Sequence, residues 1–394
     1  MTKSDDKVPA LRFKGFTDEW EQRKLKNITK RISRKNLNLD STLPLTISAQ
    51  YGLVDQRKFF DKQIASKKLE NYLLLKNGEF DYNKSYSKDY PFGAIKRLNN
   101  YKLGVLSTLY IAFKPVSINT DYLEEYFDST KWYKEIYKRA TEGARNHGLL
   151  NISPQDFFEL NLSIPNNRIE QERISKILKL LSLLITLQQR KVNNYFQYKT
   201  QLINTIFENK NWQMIKLKDV LSVPKKELAN VTTKSQIMTV KLNLGGIVDG
   251  ANRDTLNPSA TKYYIRHAGQ FIFGKQNFFN GSMAIVPKAM DEKVTSQDVP
   301  ALNINNEKIN SKFLLYYLSR KNFYKHTERF ATGTGSKRLH VDTLLNLKIR
   351  IPDISYQNQI VSTLTLLDKK LQLETAKLNK LKQLKQFLLQ NMFI

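Results

Sequence analysis

"EWEQRKLKNI" occupies residues 19–28 and "NWQMIKLKDV" occupies residues 211–220. Trp20 falls on Trp212, and the two Lys-Leu-Lys triplets coincide. The correspondence continues. "NGEFDYNK" (77–84) meets "AGQFIFGK" (268–275), so that Gly78, Phe80 and Lys84 fall on Gly269, Phe271 and Lys275. "INTDYLEEYF" (118–127) meets "INSKFLLYYL" (309–318), and "LNLSIP" ending at Pro165 meets "LKIRIP" ending at Pro352. The offset stays at about 190 residues with small insertions, and a fixed period of self-similarity marks a duplicated architecture. The chain states one design twice.

Each copy closes on a long helical segment. Ile174, Leu178, Leu181, Ile185, Gln188, Val192, Tyr195, Lys199, Leu202 and Ile206 follow alternating steps of four and three, the a/d seam of a coiled coil. In the second copy the seam is Ile360, Leu364, Leu367, Leu371, Glu374, Leu378, Leu381, Lys385, Leu388 and Met392. The polar breaks repeat as well: Gln188 recurs as Glu374 and Lys199 as Lys385. Polar seam residues set register at a cost in stability, so the two helices are expected to pack on each other in one alignment. The alternative is that each pairs with a second copy of the chain. Neither segment contains proline or glycine, and each should run roughly 55 Å at 1.5 Å per residue.

Between them lie two globes of mixed character. "GVLSTLYIAFKP" (104–115) and "GQFIFGK" (269–275) read as strands. "TDYLEEYFDSTKWYKEIYKRA" (120–140) reads as an amphipathic helix burying Tyr122, Tyr126, Trp132 or Tyr133, and Ile136 or Tyr137. "SPQD" (153–156) reads as a helix start with a serine cap and proline in the first turn. The expected fold is α+β, a mixed α/β chain. Two pseudo-repeated globes (1–166 and 209–352) are separated by two long helices (167–208 and 353–394) packed as an antiparallel coiled coil.

The chain has 394 residues, with 64 Lys and Arg against 36 Asp and Glu, a formal charge of +28. An excess of this size points to a polyanion partner, because each neutralised phosphate releases counterions. Cysteine is absent, which removes disulfides, thiolate zinc sites and cysteine nucleophiles. His147, His267, His326 and His340 show no metal-binding spacing. The N-terminal "MTKSDDKVPALRFKGF" lacks a signal-peptide core. "ILKLLSLLITL" (177–187) is too short to span a bilayer and carries Lys179. A cytoplasmic protein with no membrane partner is expected.

"TGTGSKRLHVD" (332–342) has the composition of a phosphate loop but not its spacing. Walker A needs four residues between its first glycine and the Gly-Lys pair, whereas Gly333 and Gly335 are one residue apart and Ser336 precedes Lys337. Its counterpart "TEGARNHGLLN" (141–151) changes the glycine spacing and carries Arg145, Asn146 and His147 where the second copy carries Ser336, Lys337 and Arg338. Both read as glycine-rich basic loops able to approach DNA; a plain helix-to-helix turn is the alternative. A second candidate pair joins "YNKSYSKDYPFGAIKR" (82–97) to "FGKQNFFNGS" (273–282). The first offers Lys84, Tyr86, Lys88, Lys96 and Arg97; the second offers Lys275, Gln276, Asn277 and Asn280. Lysines suit phosphates, and Gln and Asn pair bidentately with adenine. The alternative is a strand and hairpin whose tyrosines pack on their own sheet. The Lys- and Gln-rich face "KLNKLKQLKQ" (377–386) is a solvated surface or a docking surface.

Taken together, these residues resemble the specificity subunit of a Type I restriction–modification enzyme. The resemblance spans the whole chain. It rests on the duplicated globes, on the "W…KLK" opening of each, and on the "IP…Q…I" lead-in to each long helix (Ile164-Pro165…Gln171…Ile174 and Ile351-Pro352…Gln357…Ile360). It rests too on the closing "LINTIF" (202–207) and "LLQNMF" (388–393). It implies a non-catalytic subunit that binds a bipartite asymmetric site on double-stranded DNA. Two modification subunits would carry S-adenosylmethionine and methylate adenine at N6. Restriction subunits would add ATP- and Mg2+-dependent cleavage. No cofactor or metal is expected on this chain. The nearest string to an amino-methyltransferase motif is "NPSA" (257–260), which lacks the second proline and the aromatic, and there is no Walker A. A fused enzyme would need a further domain, and a scaffold coiled coil would not explain the charge.

Overall fold

The computed structural model describes residues 7–48, 51–61, 68–85, 90–140, 150–250, 261–334 and 336–394. Two compact units emerge: Met1–Gln189 with Ala376–Ile394, and Arg190–Thr375.

Both units are built on one plan. In the first, the strands Glu21–Lys24 and Asn161–Ile164 pair antiparallel, Glu21 opposite Ile164; in the second, Gln213–Lys216 and Lys348–Ile351 pair with Gln213 opposite Ile351. A four-stranded sheet follows in each. Its order is Thr29–Arg31, Ile111–Pro115, Phe80–Asn83, Ala94–Arg97 in the first unit. In the second it is Leu221–Ser222, Ala301–Ile304, Phe271–Phe273, Met283–Ile285. One face of each sheet carries the aromatic core: Phe80, Tyr82 and Phe113 in the first unit, Phe271, Phe273 and Leu302 in the second. Two further antiparallel pairs recur outside this frame: Leu45–Ser48 with Gly52–Asp55 is matched by Met238–Val240 with Ile247–Asp249, and Leu73–Lys76 with Leu103–Leu106 is matched by Tyr263–Ile265 with Val294–Ser296, to which the second unit adds the short strand Leu228–Ala229.

The long helices run Arg168–Phe207 and Ile354–Asn391, 40 and 38 residues. In the first unit Ile174, Leu178 and Leu181 share a core with Leu388, Met392 and Phe393. In the second, Leu202, Ile203, Ile206 and Phe207 share one with Ile360, Val361 and Leu364. The beginning of each helix therefore packs with the end of the other, the antiparallel coiled coil that the seam predicts, closed within one chain. The polar seam positions have separate roles. Glu374 is fully buried, with Lys191 at 3.3 Å and Lys370 at 3.2 Å. Lys199 pairs with Asp368 and lies 5.5 Å from the Tyr316 ring centre. Its counterpart Lys385 reaches Glu125 at 3.4 Å and Asp128 at 3.3 Å. Burial pushes the Glu125 carboxyl up to about 7, with Lys385 opposing the shift.

The lead-in motif is explained by a single amide. Gln171 Oε1 accepts the Asn119 N–H at 2.9 Å while its Nε2 donates to the Pro165 carbonyl at 2.8 Å. Gln357 repeats this with Asn310 and Pro352, both at 2.9 Å. Asn119 and Asn310 are themselves the N-caps of the helices Thr120–Asp128 and Ser311–Leu318. One buried glutamine thus ties the start of a long helix to the cap of the globe's helix in each unit.

The stretch read as one helix over 120–140 is two, Thr120–Asp128 and Tyr133–Arg139. The break is stabilised by side chains that take the last-turn carbonyls: Ser129 Oγ donates to Tyr126 O at 2.5 Å and Trp132 Nε1 donates to Phe127 O at 3.0 Å. Of the alternatives for its buried face, Trp132 and Ile136 go inside, and Tyr137 is exposed. Ser153 caps the helix Pro154–Phe158 by accepting the Asp156 N–H at 3.0 Å.

Asp81 breaks the local pattern. It is fully buried where the second copy has Ile272, and neither carboxyl oxygen has a hydrogen-bond partner among the described residues. Burial raises its pKa well above the carboxylate range, and the nearby Tyr82 amide offsets only part of this. Asp81→Val should therefore stabilise the first unit, by about 1–3 kcal/mol. Denaturant unfolding of the two proteins measures this, and a less stable variant would reveal a partner for the carboxyl.

Candidate nucleic-acid interface

The strand Phe271–Phe273 leads into a tight turn. Gly274 N–H donates to Ser282 O at 3.0 Å, Asn277 N–H to Gly274 O at 3.0 Å and Ser282 N–H to Asn277 O at 2.9 Å. A Cβ on Gly274 would lie 2.9 Å from Ser282 Oγ, so the closure favours glycine. Phe278 and Phe279 are buried beneath the turn. That anchorage leaves Lys275, Gln276, Asn277 and Asn280 half-buried on its outer side.

Thr332 and Arg338 are joined by a β-bridge, with backbone hydrogen bonds of 3.0 and 2.8 Å. Gly333 adopts φ +125°, and a Cβ there would stand 2.6 Å from Ser336 O. The bridge is fastened beside the turn: buried Leu339 donates its N–H to Lys275 O at 2.8 Å. Side chains complete the junction. Arg338 pairs with Asp298 at 3.5 Å, and Gln276, with its amide oxygen toward the guanidinium, accepts from Arg338 Nη2 at 2.9 Å and Nε at 3.3 Å. Lys325 donates to Asn280 Oδ1 at 3.0 Å, and Asn280 donates to Asn277 Oδ1 at 3.2 Å. Lys337 is exposed and pairs with Glu328 at 2.9 Å; Ser336 is exposed.

The two segments singled out in the second copy thus form one surface, which gathers four cations and three amides. Such a set can hold phosphates and read base edges. Lys325 and Asp298 belong to it and gave no signal in the sequence, since neither lies in a repeated or glycine-rich segment.

The first unit keeps the same junction. Leu150 donates its N–H to Lys84 O at 3.0 Å, as Leu339 does to Lys275. Leu150 is therefore held at the same strand end as Leu339. Tyr86, Lys88, Arg145, Asn146 and His147 lie outside the described residues. Lys84 is half-buried. Lys96 and Arg97 are engaged within the unit: Lys96 with Asp128 at 2.6 Å, Arg97 with Asp121 at 2.7 Å and Glu124 at 2.6 Å. Tyr82 is buried, stacks on Phe157 at 4.8 Å and donates to Phe92 O at 2.9 Å. Among the described residues no helix is long and apolar enough to cross a membrane, and no group of three or more His, Cys, Asp or Glu side chains could hold a metal.

Residues 209–383 match the family described as the Type I restriction modification DNA specificity domain. The Type I restriction enzyme MjaVIII specificity subunit of Methanocaldococcus jannaschii is 22% identical over 304 residues, covering 69% of this chain and 69% of that protein. Among solved structures, the Type I restriction–modification S subunit from M. genitalium superposes with a TM-score of 0.59 at 14% identity, over 98% of this chain and 99% of that one. A chain from a structural study of complex assembly and conformational transition in a type I R-M system gives 0.55 at 13% identity, over 95% and 97%. The family match covers the second copy, and the internal repeat extends the same frame to the first.

Proposed function

We propose that this chain, which belongs to the Type I restriction–modification specificity subunits and is itself non-catalytic, reads a bipartite asymmetric DNA site, one half with each unit. The observation that carries this reading is the repeated junction, Leu150 on Lys84 and Leu339 on Lys275. It holds the residues that follow two segments of unlike sequence, Leu150 and Leu339, at equivalent strand ends. A common frame bearing unlike readers suits two different half-sites separated by a non-specific gap. Two modification subunits holding S-adenosylmethionine would then methylate adenine at N6 wherever this chain places them. Restriction subunits using ATP and Mg2+ would cleave unmodified DNA. In the second unit Arg338 is the principal base reader, held by Asp298 and Gln276, and Lys275 and Lys337 are phosphate contacts. In the first, Lys84, Tyr86, Lys88, Arg145, Asn146 and His147 have those roles, while Lys96 and Arg97 approach DNA only by leaving their carboxylates.

The test is a methylome. Arg338→Ala, expressed with its modification partners, should relax one position of one half of the methylated motif, at about 1–3 kcal/mol of lost discrimination. The other half should stay intact. A motif unchanged at every position would remove Arg338 as a reader, and loosening of both halves would refute the division between units.

A further inference from the structure

Arg266 is a buried arginine without a counter-charge among the described residues. It lies at the end of the strand Tyr263–Ile265 and is 7% exposed. Its Nε donates to Thr295 Oγ1 at 2.7 Å and its Nη2 to Val299 O at 3.1 Å. Burial lowers its pKa to about 10, and the only described charge influence raising it is Tyr264, whose ring lies 5.5 Å away. A guanidinium has five N–H donors, so two hydrogen bonds leave most of its capacity unused. Burying such a charge unpaired is costly.

The same arginine lines a cleft of about 290 Å³ in the second unit, with Lys225, Lys226 and Lys275. Among the described residues Asp342 is the only acid on that lining, which also includes Tyr264 and Gln297. Glu227 and Asp291 stand close by but face His267, at 3.3 and 3.6 Å, and Asp298 faces Arg338. Four cations thus converge on a space with one carboxylate. The first unit is different. Arg266 aligns with Leu75, which is fully buried in an apolar cluster. The stretch aligned with Lys225 and Lys226 holds Arg34, and this arginine has a carboxylate, Glu79 at 2.7 Å. At the position of Glu79 the second copy carries neutral Gln270.

We propose that the Arg266 cleft binds a phosphate group, and that in the DNA complex a backbone phosphate of the half-site under the second unit fills it. This rests on the reading of that unit as a DNA-binding surface. Lys275 is shared between the cleft and the turn that bears Gln276, so a phosphate seated here would fix the register of the base-reading loop. Phosphate contacts position a protein on DNA without reading sequence. The first unit does not repeat this set of charges at the aligned positions, so the two halves of the interface should differ in their dependence on salt.

Two variants test this in the full chain assembled with its modification subunits. Arg266→Met removes the buried charge. Lys225→Gln with Lys226→Gln alters two exposed side chains and keeps the test open if the first variant does not fold. Inorganic phosphate without DNA should raise the melting temperature of the wild-type chain and have little effect on either variant. The slope of log affinity against log salt for duplex DNA should fall by about one unit for each phosphate that a variant no longer neutralises, and the methylated motif should stay the same. Equal phosphate stabilisation in wild type and variants, with unchanged salt slopes, overturns the proposal. Loss of phosphate stabilisation with unchanged slopes keeps the phosphate site and overturns its assignment to DNA. If slopes fall as expected while exchange of the second unit leaves the motif untouched, the cleft stands and the division of sequence reading fails.

Discussion

Phe393→Ala is expected to loosen the first unit by about 3–5 kcal/mol and leave the second unchanged, and Phe207→Ala is expected to do the reverse. Both residues end the closing motif of a long helix, yet they serve different cores. Phe393 is buried 5.5 Å from the Tyr122 ring and 5.6 Å from Tyr126. Phe207 is buried 5.1 Å from Phe313, 5.3 Å from Tyr317 and 6.0 Å from Trp212, with Arg320 above its ring at 5.2 Å. Tyr122 and Tyr126 align with Phe313 and Tyr317, so the two phenylalanines fill one socket twice. Aromatic clusters of this kind add edge-to-face attraction to the area they bury, and truncation leaves a cavity that rigid neighbours cannot close. Hydrogen exchange reads the outcome. Protection should drop in Thr120–Asp128 for Phe393→Ala and in Ser311–Leu318 for Phe207→Ala. Equal loss in both helices from either substitution would show that the units unfold together.

Which globe each phenylalanine serves is the part of the fold that sequence leaves hidden. The seam spacing identifies the helices, and the shared polar breaks identify their mutual packing. Nothing local says that "LINTIF" completes the unit that follows it and "LLQNMF" the unit at the start of the chain. A helix of 40 residues carries its last turn about 60 Å from its first, so its end need not serve the globe that precedes it. Gln171 and Gln357 were legible as a motif; their double hydrogen bond was not, because its partners lie 52 and 6 residues away in one unit, 47 and 5 in the other. The candidate interface divides similarly. The aligned glycine loops marked the segments that form it, and "FF" at 278–279 buries itself as apolar residues do, turning the amides outward. Charge in sequence carries no record of its partner, however. Lys96 and Arg97 read as free cations but meet acids 24 to 32 residues on. Arg266 read as nothing, because Lys225, Lys226 and Lys275 join it only through the fold.

Exchange of residues 211–338 for the equivalent globe of a Type I restriction–modification specificity subunit is expected to replace one half of the methylated motif completely and keep the other. The segment carries the turn at 275–280, the backbone up to Arg338, and Asp298 and Lys325, so every proposed reader of the second unit moves with it. What stays behind is the frame. The strand Lys348–Ile351 remains to pair with the incoming partner of Gln213–Lys216, Gln357 remains to meet the incoming cap at Asn310, and Phe207 remains to enter the incoming aromatic socket. A donor must therefore supply an aromatic at the places of Trp212, Phe313 and Tyr317, an N-capping residue at Asn310, and an apolar face against Leu364. Within those limits its loops are unconstrained, because the link across the exchange boundary is a backbone hydrogen bond from Leu339 to Lys275, and the side chains that complete the junction, Arg338, Asp298 and Gln276, all move with the segment. Mismatched base pairs cost about 1–3 kcal/mol each, so three or four mismatches in one half-site lower occupancy of the old motif by roughly two orders of magnitude or more. Genome-wide mapping of methylated adenine distinguishes the outcomes. A motif changed in one half supports separate readers on a common frame. A motif changed in both halves would mean that the units read jointly, and an unchanged motif would place the readers of the second half outside residues 211–338.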